Sequence, residues 1–552
     1  MRIPAIRPIG PAKWLLFVIL LMAAILRFYG IHFGAPLPYH PDEVKLVTQA
    51  GHLLNTHFMD KEVYFMSGLY PILFTLALAV LMGFYIMAAM LTGRLEGIQN
   101  AAEFYQQHTF DFFLIGRYFV AILGILSVYI LYLLVKRLFK SERLSLVSAA
   151  LLAVNFIHVR NSHFCTVDVP AAFLALCSIY YSARVLEKPE KRYYFLSALF
   201  AAAAIGAKYS LFFVVLPLAY AHTWHAWQNR PFFKSLFNHK AWLALGTLIV
   251  GFLVFVPMFV MDFQYSLQRM VRLQTFEKVG KIGSGGGLFS YWTGDQPPGF
   301  GLFYPNSIPT TFGALLTVLI LVGIGYQLYR HKKQDILLLI FMLPMYFYFE
   351  HLSYKAMRHI IPIIPIMLVS SAIIIDEISN RLFNNAVLRM SALTGLVLGL
   401  VISGASSSWN YLDEIRKKDP RTSAAEWVVE NVPRGSNLLV ESFPPYLPDL
   451  FNQDDPDREY NITRARLQYK YPALADSFIT EMKAGHYDYY IADGFTRQLF
   501  SWKYTQKKYP EITKDRNRLF QWLDSELPVA VEFRPEHEII QPFVMIYAVK
   551  EK

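Results

Sequence analysis

Two short stretches carry most of the side chains that could do chemistry. PYHPDEVK (38–45) sets His40, Asp42, Glu43 and Lys45 within six positions, and HFCTVDVP (163–170) sets His163 and Asp168 between two apolar runs. A carboxylate can take a proton from an attacking hydroxyl while cations stabilise a departing phosphate. Cations stand at the ends of other apolar runs: Lys208 in GAKYS, and Lys355 and Arg358 in YKAMRHIIPIIP. Arg117, Arg160, Arg269, Arg272, Lys278 and Lys281 fall beside further runs. Together these types suit transfer of a group from a lipid phosphate to an alcohol or amine, with Asp42, Glu43 and Asp168 as the catalytic candidates. His40, Lys45, His163, Lys208, Lys355 and Arg358 are the candidate substrate contacts.

Each piece also has a plainer reading. Pro41 suits a first helical position, and Asp42 and Glu43 complement the positive end of a helix dipole. Asp168 would cap a helix beginning near Pro170, and some of the cations would only snorkel toward water. The chemical reading therefore needs all of these residues on one face of a membrane.

The elements that must put them there are apolar. Of 552 residues, 55% are hydrophobic, 16% aromatic and only 17% charged, against about 25% charged in soluble domains. Eleven spans are expected at 14–31, 113–135, 143–158, 171–186, 193–206, 209–226, 241–261, 313–329, 335–351, 359–376 and 391–409. The basic loops KRLFKSER, EKPEKRYY, WQNRPFFKSLFNHK and RHKK then share the side of the N-terminus, which makes that side cytoplasmic. The net charge of +11 is thereby a matter of membrane orientation and implies no nucleic acid. Segment 69–91 is long enough to span, but the charge pattern is better met if it lies along the outer leaflet or re-enters. The first run reads as an uncleaved span, since no small-x-small site follows and Arg27 interrupts the place for one. Cys165 and Cys177 form no disulfide framework.

The expected organisation is a transmembrane catalytic domain, 1–409, with a first outer loop at 32–112 and a long Gly/Pro-rich outer loop at 262–312. A small soluble α/β domain follows at 410–552, outside the membrane. There DPRTSAAEWVVENVPRGSNLLV predicts a capped helix, a turn and a strand; YDYYIAD and PFVMIYAV predict strands, with helices near 473–484 and 511–524. Walker loops, GxGxxG, HExxH and GxSxG are missing. The run DDPD (454–457) reads as a solvated loop, and the sequon NIT (461–463) as a chance match.

Taken in order, HPDE, GLYPILF, GRYFVAILGILSVYILYLLVKRLF, SHFCTVDVP, GAKYS and RHIIPIIP resemble the GT-C glycosyltransferases. The likeness is to the branch of protein O-mannosyltransferases and aminoarabinose transferases, over about residues 14 to 410. It implies a polytopic α-helical membrane protein with outer juxtamembrane helices and a plasma-membrane location. The implied activity is an inverting transfer of sugar from a polyprenyl-phosphate donor to a lipid, glycan or protein acceptor. Asp42 matches the catalytic carboxylate, Glu43 its neighbour, and Asp168 a second acidic position that helps hold acceptor or metal. Lys208, Lys355 and Arg358 fall where relatives turn basic residues toward the donor phosphate. Leu69-Tyr70-Pro71 departs from the relatives' His-Pro-Pro. No cofactor is implied with certainty. A divalent cation is one option, with Asp42, Glu43, Asp168 and His163 as its ligands and His40 as a further nitrogen. Rival readings are a transporter or flippase of lipid-linked sugars and a membrane-anchored scaffold with an outer binding domain.

Overall fold

A long apolar segment in lipid must satisfy its backbone internally, so helices dominate the chain. The computed structural model describes residues 10–55, 72–229, 231–274, 308–309, 311–351, 356–382, 384–441, 460–469, 471, 473–501, 503–535 and 541–549. Lys355, Lys278, Lys281, Leu69-Tyr70-Pro71, the run DDPD and most of the loop 262–312 lie outside them, as do the side chains of Arg269 and Arg272. Among the described residues, six segments are long and apolar enough to cross a membrane: Pro11–Phe28, Leu73–Leu91, Thr109–Phe139, Asp168–Glu187, Phe232–Phe255 and Ala386–Asn431.

Several expected spans are built differently. Residues 143–158 form helix Glu142–Ala153, which ends before Asn155; the Asn155 side chain then caps a second helix, Phe156–Asn161, by accepting from the His158 amide at 3.1 Å. Residues 209–226 begin as a 3-10 helix, Tyr209–Val215, and continue as helix Leu216–Gln228 with a proline in its first turn. Within segment 69–91 the described residues form one helix, Leu73–Leu91. It packs against helix Pro41–Asn55, which begins at HPDE.

Small residues draw the helices together. A side chain on Gly251 would meet the Ala202 Cβ, and one on Gly323 would run into the Ser370 carbonyl. Thus helix Lys191–Ala207 lies directly on His239–Phe255, and Ala314–Arg330 on Ile364–Leu382. Within this packing Arg27 is fully buried. Its guanidinium donates to the carbonyls of Ala153 (2.9 Å) and Leu152 (3.3 Å) and meets the His158 Nδ1 at 2.9 Å. It holds the carbonyl end of helix Glu142–Ala153, the negative end of its dipole.

Beyond the long helix Ala386–Arg416 comes an α/β unit. Its five-stranded sheet has the order β2-β1-β3-β5-β4, with β1 Asn437–Val440, β2 Asn461–Arg464, β3 Tyr489–Asp493, β4 Val529–Phe533 and β5 Val544–Ala548. Strands β2, β1 and β3 are parallel, and β5 runs antiparallel to both its neighbours, β3 and β4. The predicted helices appear as Pro420–Asn431, Leu474–Lys483 and Pro510–Glu526. Strand β2, which contains the NIT sequon, and β4 were not foreseen; each is short and half exposed, with little apolar alternation to read.

At the carboxyl ends of β1 and β3 two buried acids meet. Glu441 accepts from the Tyr490 hydroxyl (2.8 Å) and the Asp493 amide (2.9 Å). Burial, then Asp493, pushes the Glu441 carboxyl up to about 8, and burial lifts Asp493 to about 6. A carboxyl group with a raised folded pKa favours folding only while protonated, so its contribution is lost as pH rises from the ordinary carboxyl range through the folded value. Thermal unfolding of this unit in the full-length protein is expected several degrees higher at pH 5.5 than at pH 8. Glu441→Gln should remove most of that difference.

Candidate active site

Pro41 opens helix Pro41–Asn55 and puts Asp42 and Glu43 in its first turn. The His40 carbonyl accepts from the Glu43 amide at 3.1 Å, and the His40 Nδ1 lies 3.3 Å from the Asp42 amide. The His40 ring packs on Phe164, 4.3 Å between centroids. Burial holds this imidazole at about 4 against the pull of Asp42 and Glu43, so it is neutral. One face of the helix, including Leu46, Val47, Ala50 and Leu53, is buried, which fixes the direction of its first turn.

The two adjacent acids have different surroundings. Glu43 is fully buried and has both oxygens engaged. Arg117 Nε donates to its Oε1 and Arg117 Nη2 to its Oε2, both at 2.9 Å, while the Cys165 amide donates to Oε1 at 2.7 Å. Arg117 also donates to the carbonyls of Ile31 and Phe33. Gly116 permits this meeting, because a Cβ there would overlap the Cys165 Sγ. Glu43 thus ties the HPDE turn, the preceding loop and the HFCTVDVP loop into one body. Arg117, read from sequence as a cation in need of a lipid phosphate, has a protein carboxylate instead.

Asp42 is partly exposed and accepts from Arg358 Nη1 at 2.8 Å. Burial alone would raise its carboxyl; Arg358, then His40 and Lys45, outweigh it and hold it at about 2. Asp168 starts helix Asp168–Glu187, but its side chain does not cap that helix. It accepts instead from Lys208 Nζ at 2.6 Å. Lys208 in turn closes the end of helix Lys191–Ala207, where a cation complements the dipole.

A ring pair joins the two ion pairs. Phe349 and His359 stack at 5.5 Å; Lys208 Nζ lies 6.0 Å from the Phe349 centroid, and Arg358 is the residue before His359. Lys208 and Arg358 both act electrostatically on His359. The carboxylates of the two motifs therefore belong to one charge cluster at the ends of four helical segments. Phe349 and His359 were not singled out from sequence; the only signal was the adjacency of His359 to Arg358.

The other candidates divide. Lys45 is exposed and reaches Asp42 only through its charge. His163 has both ring nitrogens at 2.9 Å from backbone carbonyls, those of Val159 and Tyr29, and so serves as a brace. The metal option loses its ligand set: Glu43 is held by Arg117, Asp168 by Lys208 and Asp42 by Arg358. Among the described residues no three His, Cys, Asp or Glu side chains are gathered to hold an ion. Cys165 and Cys177 are buried free thiols.

Residues 91–271 match the family described as dolichyl-phosphate-mannose-protein mannosyltransferase. That stretch contains Arg117, Cys165, Asp168 and Lys208. The structure is similar to that of the archaeal oligosaccharyltransferase AglB from Archaeoglobus fulgidus, in complex with an inhibitory peptide and a dolichol-phosphate. The TM-score is 0.53 at 13% identity, covering 89% of this chain and 71% of that one. It is also similar to ArnT from Cupriavidus metallidurans bound to undecaprenyl phosphate, with TM-score 0.50 at 12% identity, covering 97% and 98%. The chain has the GT-C fold. Comparison with curated proteins gives no match. Within this fold, residues of HPDE, SHFCTVDVP and GAKYS meet in space.

Removing one partner of a buried ion pair leaves the other charge stranded. Glu43→Ala or Arg117→Ala should therefore cost about 3–5 kcal/mol of stability, read as a lower melting temperature and a lower yield of folded protein in detergent. A surface change such as Lys45→Ala should leave both unchanged.

Proposed function

We propose that the protein is a membrane glycosyltransferase that moves a sugar from a polyprenyl-phosphate donor to an acceptor on the extracytoplasmic face. The observation that carries this reading is the pairing of each exposed-side carboxylate with its own cation, Asp42 with Arg358 and Asp168 with Lys208, around one ring pair. The GT-C fold and the match of residues 91–271 to a mannosyltransferase family support it. So do two structural relatives whose complexes hold dolichol-phosphate and undecaprenyl phosphate. A transporter would gather its polar groups at mid-bilayer; here they sit at helix ends.

In the proposed step the acceptor oxygen bonds the anomeric carbon and its proton passes to Asp42. The bond from that carbon to the phosphate oxygen breaks on the opposite face, which inverts the centre and releases polyprenyl phosphate. An Asp near its ordinary pKa is too weak to deprotonate an alcohol beforehand, so proton transfer accompanies bond formation. The ion pairs give the site a trigger. A donor phosphate competes for Arg358 and Lys208, and Asp42 then keeps the burial that raises its pKa while losing the cation that lowers it. Base strength rises as the donor binds. Asp168, released from Lys208 in the same way, is placed to orient the acceptor. Glu43 supports the step by holding the turn, without touching the reacting atoms.

Mass spectrometry of glycans and lipids from cells with and without the gene tests the activity and identifies sugar and acceptor. Restoring the gene with Asp42→Asn should leave membrane insertion intact and lower transfer by about a hundred- to ten-thousand-fold; near wild-type transfer would remove Asp42 from the role of base. Arg358→Gln should raise the Asp42 pKa by about 1–3 units. The acid limb of the transfer rate should then move upward in pH, because the protonated carboxyl cannot accept a proton.

A further inference from the structure

The C-terminal α/β unit touches the HPDE loop at one well-defined place. Tyr39, the residue before His40, is 5% exposed, and its hydroxyl lies 2.6 Å from the Thr422 Oγ1. The Arg421 guanidinium covers the Tyr39 ring at 3.8 Å from its centroid. Arg421 is itself fixed: Nε and Nη2 each donate to Asp419 at 2.7 Å, and Asp419 caps helix Pro420–Asn431 through the Arg421 amide. Both residues of this pair are buried. Asp493, at the end of β3, lies close enough to act on Arg421. Tyr39 is thus held between its own loop and the first turn of helix Pro420–Asn431.

The other side of Tyr39 is tight as well. Gly34 has φ +78°, and a Cβ there would stand 3.0 Å from the Tyr39 ring and 2.8 Å from the Leu37 carbonyl. The same loop is pinned upstream by Arg117 on the Ile31 and Phe33 carbonyls and by Ile415 against Gly30. Seven residues, Gly34 to His40, join the Phe33 anchor to the first turn of Pro41–Asn55, and Tyr39 and His40 adjoin that turn. The Arg117–Glu43 clamp holds the turn itself, and the Tyr39 contact holds the chain that enters it.

We infer that Arg421 and Thr422 of the C-terminal unit are positioning residues for Asp42, acting through Tyr39. This goes beyond the proposed activity and rests on it only for the consequence on rate. The unit is then an integral part of the active site's geometry, whatever acceptor it also meets. A guanidinium over a tyrosine face and one hydroxyl–hydroxyl bond are modest interactions singly. They act here on the residues that lead directly into the helix, so their loss appears as local opening of the adjoining helical turn and not as global unfolding.

The test uses full-length protein in detergent and hydrogen exchange, which needs no knowledge of the sugar. In Arg421→Gln and in Thr422→Val, exchange at the Glu43 and Val44 amides, both bonded to the His40 carbonyl, should speed up about tenfold. Exchange in β3 and in helix Asp168–Glu187 should stay as in the wild type. Arg421→Lys, which keeps a cation for Tyr39 and Asp419, should recover much of the protection. With the donor that the gene comparison identifies, Arg421→Gln should lower kcat about tenfold and leave KM for that donor unchanged. Unchanged exchange at Glu43 and Val44 in both variants would overturn the inference. So would faster exchange spread evenly through the sheet, or absence of rescue by lysine. If no glycosyl transfer is found at all, the proposed function fails while the exchange result still decides the coupling.

Discussion

A carboxylate and a guanidinium buried together must satisfy each other, since either one alone would carry the whole cost of leaving water. The Glu43–Arg117 pair meets that demand with two parallel hydrogen bonds and a third from the Cys165 amide. The arrangement forces three separate stretches of chain to one point: the loop after the first helix, the HPDE turn and the HFCTVDVP loop. Everything chemical follows from that meeting. Asp42 is one residue from Glu43 and Asp168 three residues from Cys165, so the clamp brings the two acids into one neighbourhood without touching either.

Around the clamp the charges follow a simple rule. The fully buried acid is held by three donors, and Asp42 and Asp168 are paired with Arg358 and Lys208, cations for which an incoming anion could compete. Among the described residues, the Asp42 and Asp168 carboxylates are ion-paired and the His40 imidazole is neutral. Under the proposed activity, a donor phosphate competing for those cations would free the Asp42 carboxylate.

Much of this was readable from residue types. Helix Pro41–Asn55 begins at the proline, the GAKYS lysine and the arginine of RHIIPIIP do meet the acids, and the helix–turn–strand of the C-terminal unit lies where DPRTSAAEWVVENVPRGSNLLV put it. What stayed hidden depends on contacts far apart in sequence. No local signal says that Glu43 reaches Arg117, 74 residues on, and not the substrate. None says that Asp168 faces Lys208 and not the amides of its own helix, or that His163 is a brace. Helix breaks at Asn155 and in the 209–228 stretch were missed because hydropathy counts apolar residues and is blind to a cap or a 3-10 turn. Tyr39 and Arg421 are unremarkable types in unremarkable places; only their distance gives them meaning.

Arg27 has a consequence for how the chain is made. An arginine in the first apolar helix is costly to leave facing lipid, and its partners are carbonyls at the end of Glu142–Ala153, well over a hundred residues later in synthesis. Until that helix arrives, the guanidinium has the Ala23 carbonyl of its own helix, at 3.1 Å, but lacks these later partners. The contacts that bury Arg27 thus form only once helix Glu142–Ala153 has been made, which couples the first helix of the described chain to a segment far along it.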